Sequence, residues 1–200
     1  KTFEYSVFEG NPNLVEFFAV VDGVEVTDVK FDNVMLDDGV LYTIVKNGYV
    51  LSCYPTAKSD AEYTVADNTV RIEYSAAKDN LYLEKIIFPE SLRNIGNYAF
   101  YGCTGLKTVV FNSYYAPILE GTMTGERIDI TTENQDQFPG FDILYYYDYF
   151  YRENGKLGMP MYYSTFVGTV GSVSASDLTY VIPENAENYD TLMYKAFFKP

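Results

Sequence analysis

The side chains that could perform acid–base or nucleophilic chemistry are few in type. The 200-residue chain has no histidine, which removes the commonest general base near neutral pH and the commonest metal ligand. Its 28 Asp and Glu residues always offer some pair of carboxylates for glycoside hydrolysis, but no pair stands out. The sequence has no Gly-rich phosphate loop, no GxSxG motif and no marked Ser–Lys pair. We therefore predict that the chain is not an enzyme.

Cys53 and Cys103 are the only thiols. Cys103 could be a reactive nucleophile, but the chain has no histidine to activate it. The internal repeat described below also places Asn80 and Asn11 at the position of Cys103. A turn position that accepts either Cys or Asn is typical of backbone hydrogen bonding or packing. We predict a structural role for both cysteines, which are too few for a disulfide framework.

Four aspartates near the N-terminus, Asp28, Asp32, Asp37 and Asp38, could in principle bind calcium. They lack the spacing of an EF-hand loop, and acidic residues at strand ends are usually solvated. We therefore predict no metal site and no cofactor.

A tyrosine-rich segment supplies the candidate ligand-binding residues. Alternation along a strand would place four tyrosines on one face, and these are Tyr145, Tyr147, Tyr149 and Tyr151. Such rings could stack on sugars. The alternative is that they fill a core in a chain without tryptophan, and this is favoured because aromatic side chains are normally buried.

The charge balance excludes two classes of partner. With 14 basic and 28 acidic residues the net charge is −14, so the surface repels phosphate backbones and anionic lipid. No apolar run approaches the ~18–20 residues of a membrane span. We expect neither nucleic-acid binding nor membrane insertion.

The elements that position these residues come from an internal repeat. Ile95 lies 23 positions after Ile72, and the same shift aligns four further apolar pairs without a gap. These pairs are Ala76 with Ala99, Leu83 with Leu106, Ile86 with Val109, and Phe88 with Phe111. A period of this length lies in the range of ~20–29 residues expected of leucine-rich repeats. Such units stack, because none buries its apolar face alone, and their strands form a parallel ladder.

A third copy lies at the N-terminus. Phe8, Gly10, Leu14 and Phe17 match the second unit at a shift of 92 positions. The shared pattern is a leucine followed, three and five positions later, by apolar residues on one side of a short strand. We expect the leading leucine to fill the bend that enters the strand.

Residues 88–111 resemble one unit of a BspA-type leucine-rich repeat. They carry the family's motifs in order, namely Pro89, Ile95-Gly96, Ala99-Phe100, Gly102-Cys103 and Leu106-x-x-Val109. The preceding unit departs from the pattern, with Ala77 in place of Phe and Asp79-Asn80 in place of Gly-Cys. Residues 38–42 and 53–55 resemble a hairpin-like insert found between such repeats. Recognisable repeat covers residues 1–19 and 63–112.

We therefore predict an α+β, strand-rich fold, built as a short leucine-rich-repeat solenoid with a hairpin insert and a C-terminal α/β cap or small domain. The expected division is a repeat end at 1–19, the hairpin-type insert at 20–62, two leucine-rich repeats at 63–112, a loop or linker at 113–140, and a Tyr-rich cap or small domain at 141–200.

Local signals refine this division. Asn47-Gly48 is a hairpin turn signal within the insert. Residues 141–155 favour a helix ending at a glycine, with a strand as the alternative. A strand is expected at 178–182 and an amphipathic helix at 183–198.

The resemblance implies an extracellular or cell-surface protein with an adhesion-like role. We expect a non-enzymatic repeat protein that presents a binding face to protein or glycan ligands on a host or a neighbouring cell. The alternatives are a structural spacer in a larger cell-envelope protein and a carbohydrate-binding C-terminal domain.

Overall fold

The computed structural model describes residues 8, 11–119, 128–130, 151–153, 156–159, 166, 178–190 and 198–199. The strands in chain order are β1 (Ala19–Val21), β2 (Val24–Val26), β3 (Val29–Lys30), β4 (Val34–Asp37), β5 (Val40–Val45), β6 (Gly48–Cys53), β7 (Glu62–Thr64), β8 (Thr69–Ile72), β9 (Lys85–Phe88), β10 (Asn94–Ile95), β11 (Thr108–Phe111), β12 (Ile118–Leu119), β13 (Ile128–Ile130), β14 (Tyr151–Glu153), β15 (Lys156–Met159), β16 (Leu178–Val181) and β17 (Phe198–Lys199). No α-helix occurs in these ranges, and hence none that is long and apolar enough to cross a membrane.

One side of the solenoid is a parallel sheet with strand order β17-β16-β11-β9-β7, called here the parallel sheet. Its register pairs Ile86 with Val109 and Phe88 with Phe111, which are the pairs that the 23-residue shift predicts. Each strand alternates inward buried and outward less buried side chains, as the period of two in a β-strand requires. The repeat alignment is confirmed at these positions.

A second side is a seven-stranded sheet of order β12-β10-β8-β6-β5-β4-β3, called the mixed sheet. Its first four strands are parallel and again pair equivalent repeat positions, such as Ile72 with Ile95. From β6 to β3 the pairing is antiparallel. The hairpin expected at Asn47-Gly48 joins β5 to β6. The insert therefore continues a sheet of the solenoid.

The third side consists of stacked turns. The backbone amide of Ala77 donates to the carbonyl of Ala99 and that of Asp79 to the carbonyl of Tyr101, both at 2.7 Å. These bonds link one repeat to the next, so the turns form a ladder like that of the strands. The buried backbone groups of the turns thereby find partners without a helix.

Equivalent turn positions also share an unusual backbone conformation. Ser75 and Tyr98 have φ of 54° and 56°, and Asp79 and Gly102 have φ of 62° and 74°. Left-handed conformations are disfavoured for residues with a Cβ. Their recurrence one repeat later indicates that the stacked turn, rather than the residue type, imposes the conformation.

The core lies between the three sides. Leu83 and Leu106 are fully buried, as expected for the residues that fill the bend before each strand. Phe88 packs against Phe100 and Phe111 at centroid distances of 5.8 and 5.3 Å. Full burial of such a side chain is worth about 1.5–3 kcal/mol, so the stability of each unit depends on its neighbours.

The N-terminal copy is reproduced at its turn. The amide of Leu14 donates to the carbonyl of Asn11 at 3.2 Å, as that of Leu106 does to Cys103 at 3.0 Å. The chain then leaves the solenoid pattern and forms the separate two-stranded sheet β1-β2. The similarity therefore covers a turn, and no strand follows it at 14–18.

The C-terminal prediction requires correction. The α/β cap or small domain at 141–200 is not supported, because β16 pairs in parallel with β11, Thr179 opposite Thr108, and extends the solenoid. The strand expected at 178–182 is confirmed as Leu178–Val181. The helix expected at 183–198 is wrong over 183–190, which form turns, and residues 191–197 lie outside the described ranges.

Side-chain burial explains the mistaken helix. Tyr189 lies within the predicted helix 183–198. Its ring packs on that of Phe111 at a centroid distance of 5.3 Å, and its hydroxyl forms hydrogen bonds with the Ser113 hydroxyl and carbonyl. The helix favoured over 141–155 is wrong at Tyr151–Glu153, where the alternative strand is observed as β14, paired with β15 in a small antiparallel sheet with β13. Residues 141–150 and 154–155 lie outside the described ranges.

Candidate ligand-binding face

The outward face of the parallel sheet is the most regular exposed surface of the described structure, and we call it the strand face. Because the ladder is parallel and in register, its side chains fall into two rows. The first row is Glu62, Lys85, Thr108 and Thr179, and the second is Thr64, Ile87, Val110 and Val181.

The two rows differ in character. Neighbouring strands lie ~4.8 Å apart, so each row presents one side chain at about that interval. Glu62, Thr64 and Thr179 are exposed, and Val181 is 50% exposed. The second row becomes apolar from Ile87 to Val181. The strand face thus combines a polar stripe and an apolar stripe on a rigid support.

Ion pairs between neighbouring repeats lie on this face and at the bend beside it. Lys85 Nζ lies 3.1 Å from both carboxylate oxygens of Glu62. The same arrangement recurs one repeat later at the bend, where Lys107 Nζ lies 3.1 Å from Glu84 Oε2. Exposed pairs of this kind add little stability. They set the charge pattern that a ligand of the strand face would meet.

The buried polar residues do not form a reactive site. The Tyr42 and Tyr63 hydroxyls lie 2.6 Å apart, the Tyr42 hydroxyl also accepts from the Ala66 amide, and Tyr63 donates to Asp37. Burial raises the pKa of both tyrosines, and burial with the nearby Asp28 carboxylate raises the pKa of Asp37. Both hydroxyls are neutral near pH 7, so the cluster ties the insert to the core.

The cysteines occupy the structural positions expected of them. Cys103 is fully buried and its thiol donates to the Ala77 carbonyl at 3.0 Å. Burial raises the pKa of Cys103 and of Cys53 to about 12. At the equivalent position, Asn80 bonds four backbone groups. The Cys-or-Asn position is therefore a backbone-bonding site.

The aspartates weighed for calcium include neighbours, because the Asp28 carboxylate lies near Asp37 and Asp38. Asp28 accepts a hydrogen bond from the Asp38 amide at 2.8 Å, and Asp38 pairs with Lys58 at 3.0 Å. Within the described ranges, no three Asp, Glu or Cys side chains are grouped closely enough to hold a metal ion.

The predicted tyrosine site lies largely outside the residues that the structure describes. Tyr145, Tyr147 and Tyr149 lie outside the described ranges, and Tyr151 begins strand β14. Their proposed role stays a prediction.

A different tyrosine cluster was missed by sequence reasoning. Tyr98 packs edge-on against Tyr74 at 5.6 Å and Tyr101 at 5.3 Å, and Lys78 Nζ lies 5.7 Å from the Tyr101 ring centroid. All four side chains are partly exposed on the turn side. The sequence could have revealed this cluster, because Tyr74 and Tyr98 lie about 23 positions apart and stacked units bring such residues into contact.

Comparison with known proteins gives a family match and a similar solved structure. Residues 61–134 match the family model described as a BspA type leucine rich repeat region (6 copies). No curated protein matches significantly. A solved structure of a leucine-rich cell surface protein from Faecalibacterium prausnitzii is similar at 29% identity and a TM-score of 0.40, over 43% of this chain and 24% of that one. This chain thus spans about a quarter of that protein.

The family model and the observed ladder rest on the same residues. The matched range includes β7 to β12, whose strands stack at the repeat period. Residues 61–134 are therefore similar, in sequence and in the stacking of their strands, to a BspA-type leucine-rich repeat region.

Proposed function

We propose that the chain is a non-enzymatic surface or secreted repeat protein that presents the strand face to a protein or glycan ligand. The observation that carries this proposal is the strand face itself, a rigid in-register array with a polar and an apolar row. Repeat proteins offer extended surfaces of this kind for binding.

An extracellular or cell-surface location belongs to the same proposal. It is supported by the family match and by the leucine-rich cell surface protein that is similar in sequence. The partner would be a protein or glycan of a host or a neighbouring cell. An adhesion-like role follows if that partner is itself anchored to a surface.

The test is binding of the purified chain to a glycan array and a panel of extracellular-matrix proteins. Thr179→Arg places a bulky cation on the strand face, and Thr104→Arg places the same side chain at an exposed turn. A hit that weakens at least about tenfold with Thr179→Arg alone supports the proposal. Equal binding by both variants contradicts it.

The same assay separates the competing functions. A sugar hit lost in a Tyr147→Ala, Tyr151→Ala double variant, and kept in Thr179→Arg, would place recognition in the C-terminal part instead. The absence of any hit at micromolar concentrations would favour a structural spacer within a larger cell-envelope protein.

The turn-side tyrosines lie apart from the strand face and are a second candidate surface, one whose chemistry suits a glycan. Partly exposed aromatic rings bind the apolar faces of sugar rings, and Lys78 lies beside the Tyr101 ring. Tyr101→Ala should then weaken a glycan hit more than Tyr82→Ala, which removes an exposed tyrosine outside the cluster. Equal effects of the two substitutions would remove the turn side from consideration.

A further inference from the structure

The N-terminal hairpin β1-β2 exposes apolar side chains to an unusual degree. Phe18, Val20, Val21 and Val24 are 52%, 64%, 38% and 61% exposed. They follow one another along a short two-stranded sheet, with Val21 paired to Val24 across it. A soluble protein rarely exposes several large apolar side chains side by side unless they meet a partner.

The hairpin is locally well formed. Asp22 and Gly23 have φ of 51° and 82°, the conformation of a type I′ turn, which matches the twist of the strands that it joins. The amide of Phe17 anchors its base to the Gly39 carbonyl at 2.8 Å. Isolated two-stranded sheets are only marginally stable in water, so an added strand would stabilise this one.

Its edges offer backbone groups to such a strand. In a hairpin with a two-residue turn, Val21 and Val24 bond each other, and the next pair, Val20 and Glu25, directs its amides and carbonyls outward. Across the described ranges no strand pairs with either outer edge. An extended segment could therefore add to the hairpin by main-chain hydrogen bonds.

The exposed charges around the hairpin indicate the charge of the extended segment that would bind there. Asp22 and Glu25 lie within the hairpin and Glu16 lies just before it in the sequence, and all three are exposed. The first basic residue that follows, Lys30, donates to the Tyr49 hydroxyl at 2.9 Å. A second copy of this chain, with its net charge of −14, would bring like charges together. Complementary charge instead favours a basic partner.

We propose that the β1-β2 hairpin docks an extended segment of another protein in which apolar and basic side chains alternate. The backbone of that segment adds a strand to the β2 edge of the hairpin. Its apolar side chains lie on the face of Val21 and Val24, and its basic side chains lie on the opposite face, which carries Glu25. This surface is separate from the strand face, and the inference does not depend on the function proposed above.

The experiment uses the whole chain and two labelled peptides of equal length, one alternating Lys and Val and the other alternating Glu and Val. Fluorescence anisotropy at low salt is expected to show binding of the Lys-Val peptide alone. That binding should weaken as salt rises from about 50 to 300 mM, because exposed charges are then screened. Equal binding of the two peptides would overturn the proposal.

Matched variants assign the binding to the hairpin. Val21→Thr with Val24→Thr keeps β-branched side chains, and so the strands, while removing exposed apolar surface from one face. It should reduce Lys-Val affinity at least about fivefold, whereas Val45→Thr, at an exposed position of strand β5, should leave affinity unchanged. An equal effect of the two variants would overturn the proposal.

Self-association is the competing occupant, and sedimentation detects it. If the hairpin pairs with a second copy, the chain dimerises with rising concentration and the Val21→Thr, Val24→Thr variant abolishes the dimer. That outcome would replace the basic partner with a second copy. A monomer at all concentrations, together with Lys-Val binding, supports the proposal.

Discussion

Asn80 is the residue whose loss should show most clearly how the turns of the solenoid are held. It is fully buried. Its side-chain amide donates to the carbonyls of Pro55 and Lys58 at 3.0 and 2.9 Å, and its oxygen accepts from the amides of Tyr82 and Leu83 at 2.9 Å. One side chain thus joins the loop before β7 to the bend before β9.

The expected cost of Asn80→Ala follows from what happens to these four groups. The Leu83 amide is buried and loses its acceptor, which costs about 1–3 kcal/mol. The Pro55 carbonyl keeps the Lys58 amide as a donor at 3.2 Å. The Tyr82 amide and the Lys58 carbonyl lie in part-buried bonds, so water can replace part of what is lost. A cost of about 3–6 kcal/mol results, a large share of the ~5–15 kcal/mol that stabilises a typical domain.

The assay is chemical denaturation followed by far-UV circular dichroism, with Asn97→Ala as the matched control. The buried Oδ1 of Asn97 has no hydrogen-bond partner, so the same substitution there should change stability by less than about 1 kcal/mol. If the midpoints of the two variants coincide, the Asn80 bonds do not stabilise the fold, and the reading of this turn position as a backbone-bonding site is wrong.

Four further predictions concern the core. Leu106→Ala should cost about 2–5 kcal/mol by denaturation, as for a buried leucine, and a loss below about 1 kcal/mol would contradict its place in the core. Because burial raises the pKa of Cys53 and Cys103 to about 12, iodoacetamide should label neither thiol in the native protein but both in guanidinium; rapid native labelling would refute this. Burial raises the pKa of Tyr42 and Tyr54 above the ordinary 10.0, so stability should be full below pH 10 and fall as pH rises above it. Tyr54→Phe removes an unpartnered buried hydroxyl and should be neutral or stabilising, whereas Tyr42→Phe should cost about 1–3 kcal/mol; the opposite order in thermal melts would contradict these hydrogen-bond assignments.

Self-similarity made the solenoid predictable. The shift of 23 positions identified the strand partners Ile86 with Val109 and Phe88 with Phe111 before any element was assigned. It also explained why Cys and Asn alternate at one turn position. The spacing of apolar residues within a single segment was far less informative, because a short apolar segment can fit both the period of a strand and that of a helix.

At residues 178–190 the shift of 23 positions did not reveal a further repeat. Val181-Ile182-Pro183-Glu184 parallels Ile87-Phe88-Pro89-Glu90, and the structure confirms a further strand of the ladder there. The long segment between β11 and β16 hid the match, because the two segments lie 94 positions apart (181 − 87 = 94) and this is not a multiple of 23. The following residues were then read as a helix from apolar spacing alone.

The hairpin β1-β2 was missed for a different reason. Asp22-Gly23 is a strong type I′ turn signal between alternating residues, but the segment was read only as part of a broad insert. Its exposure could not be inferred from sequence, because exposure depends on which neighbours the folded chain supplies. The tyrosine cluster on the turn side likewise exists only once the repeats are stacked.

Side chains of types often found in catalytic sites here form hydrogen bonds that hold the fold together. Cys103 and Asn80 bond turn carbonyls, and Tyr42 joins the insert to the core. Substituting them would disturb the ladder, so they are poor places for a recognition surface to evolve. The outward positions Thr179 and Val181 on the strand face make no contribution to the core. Their side chains can change while the ladder stays intact, and it is at such positions that repeat proteins of one architecture can acquire different ligands.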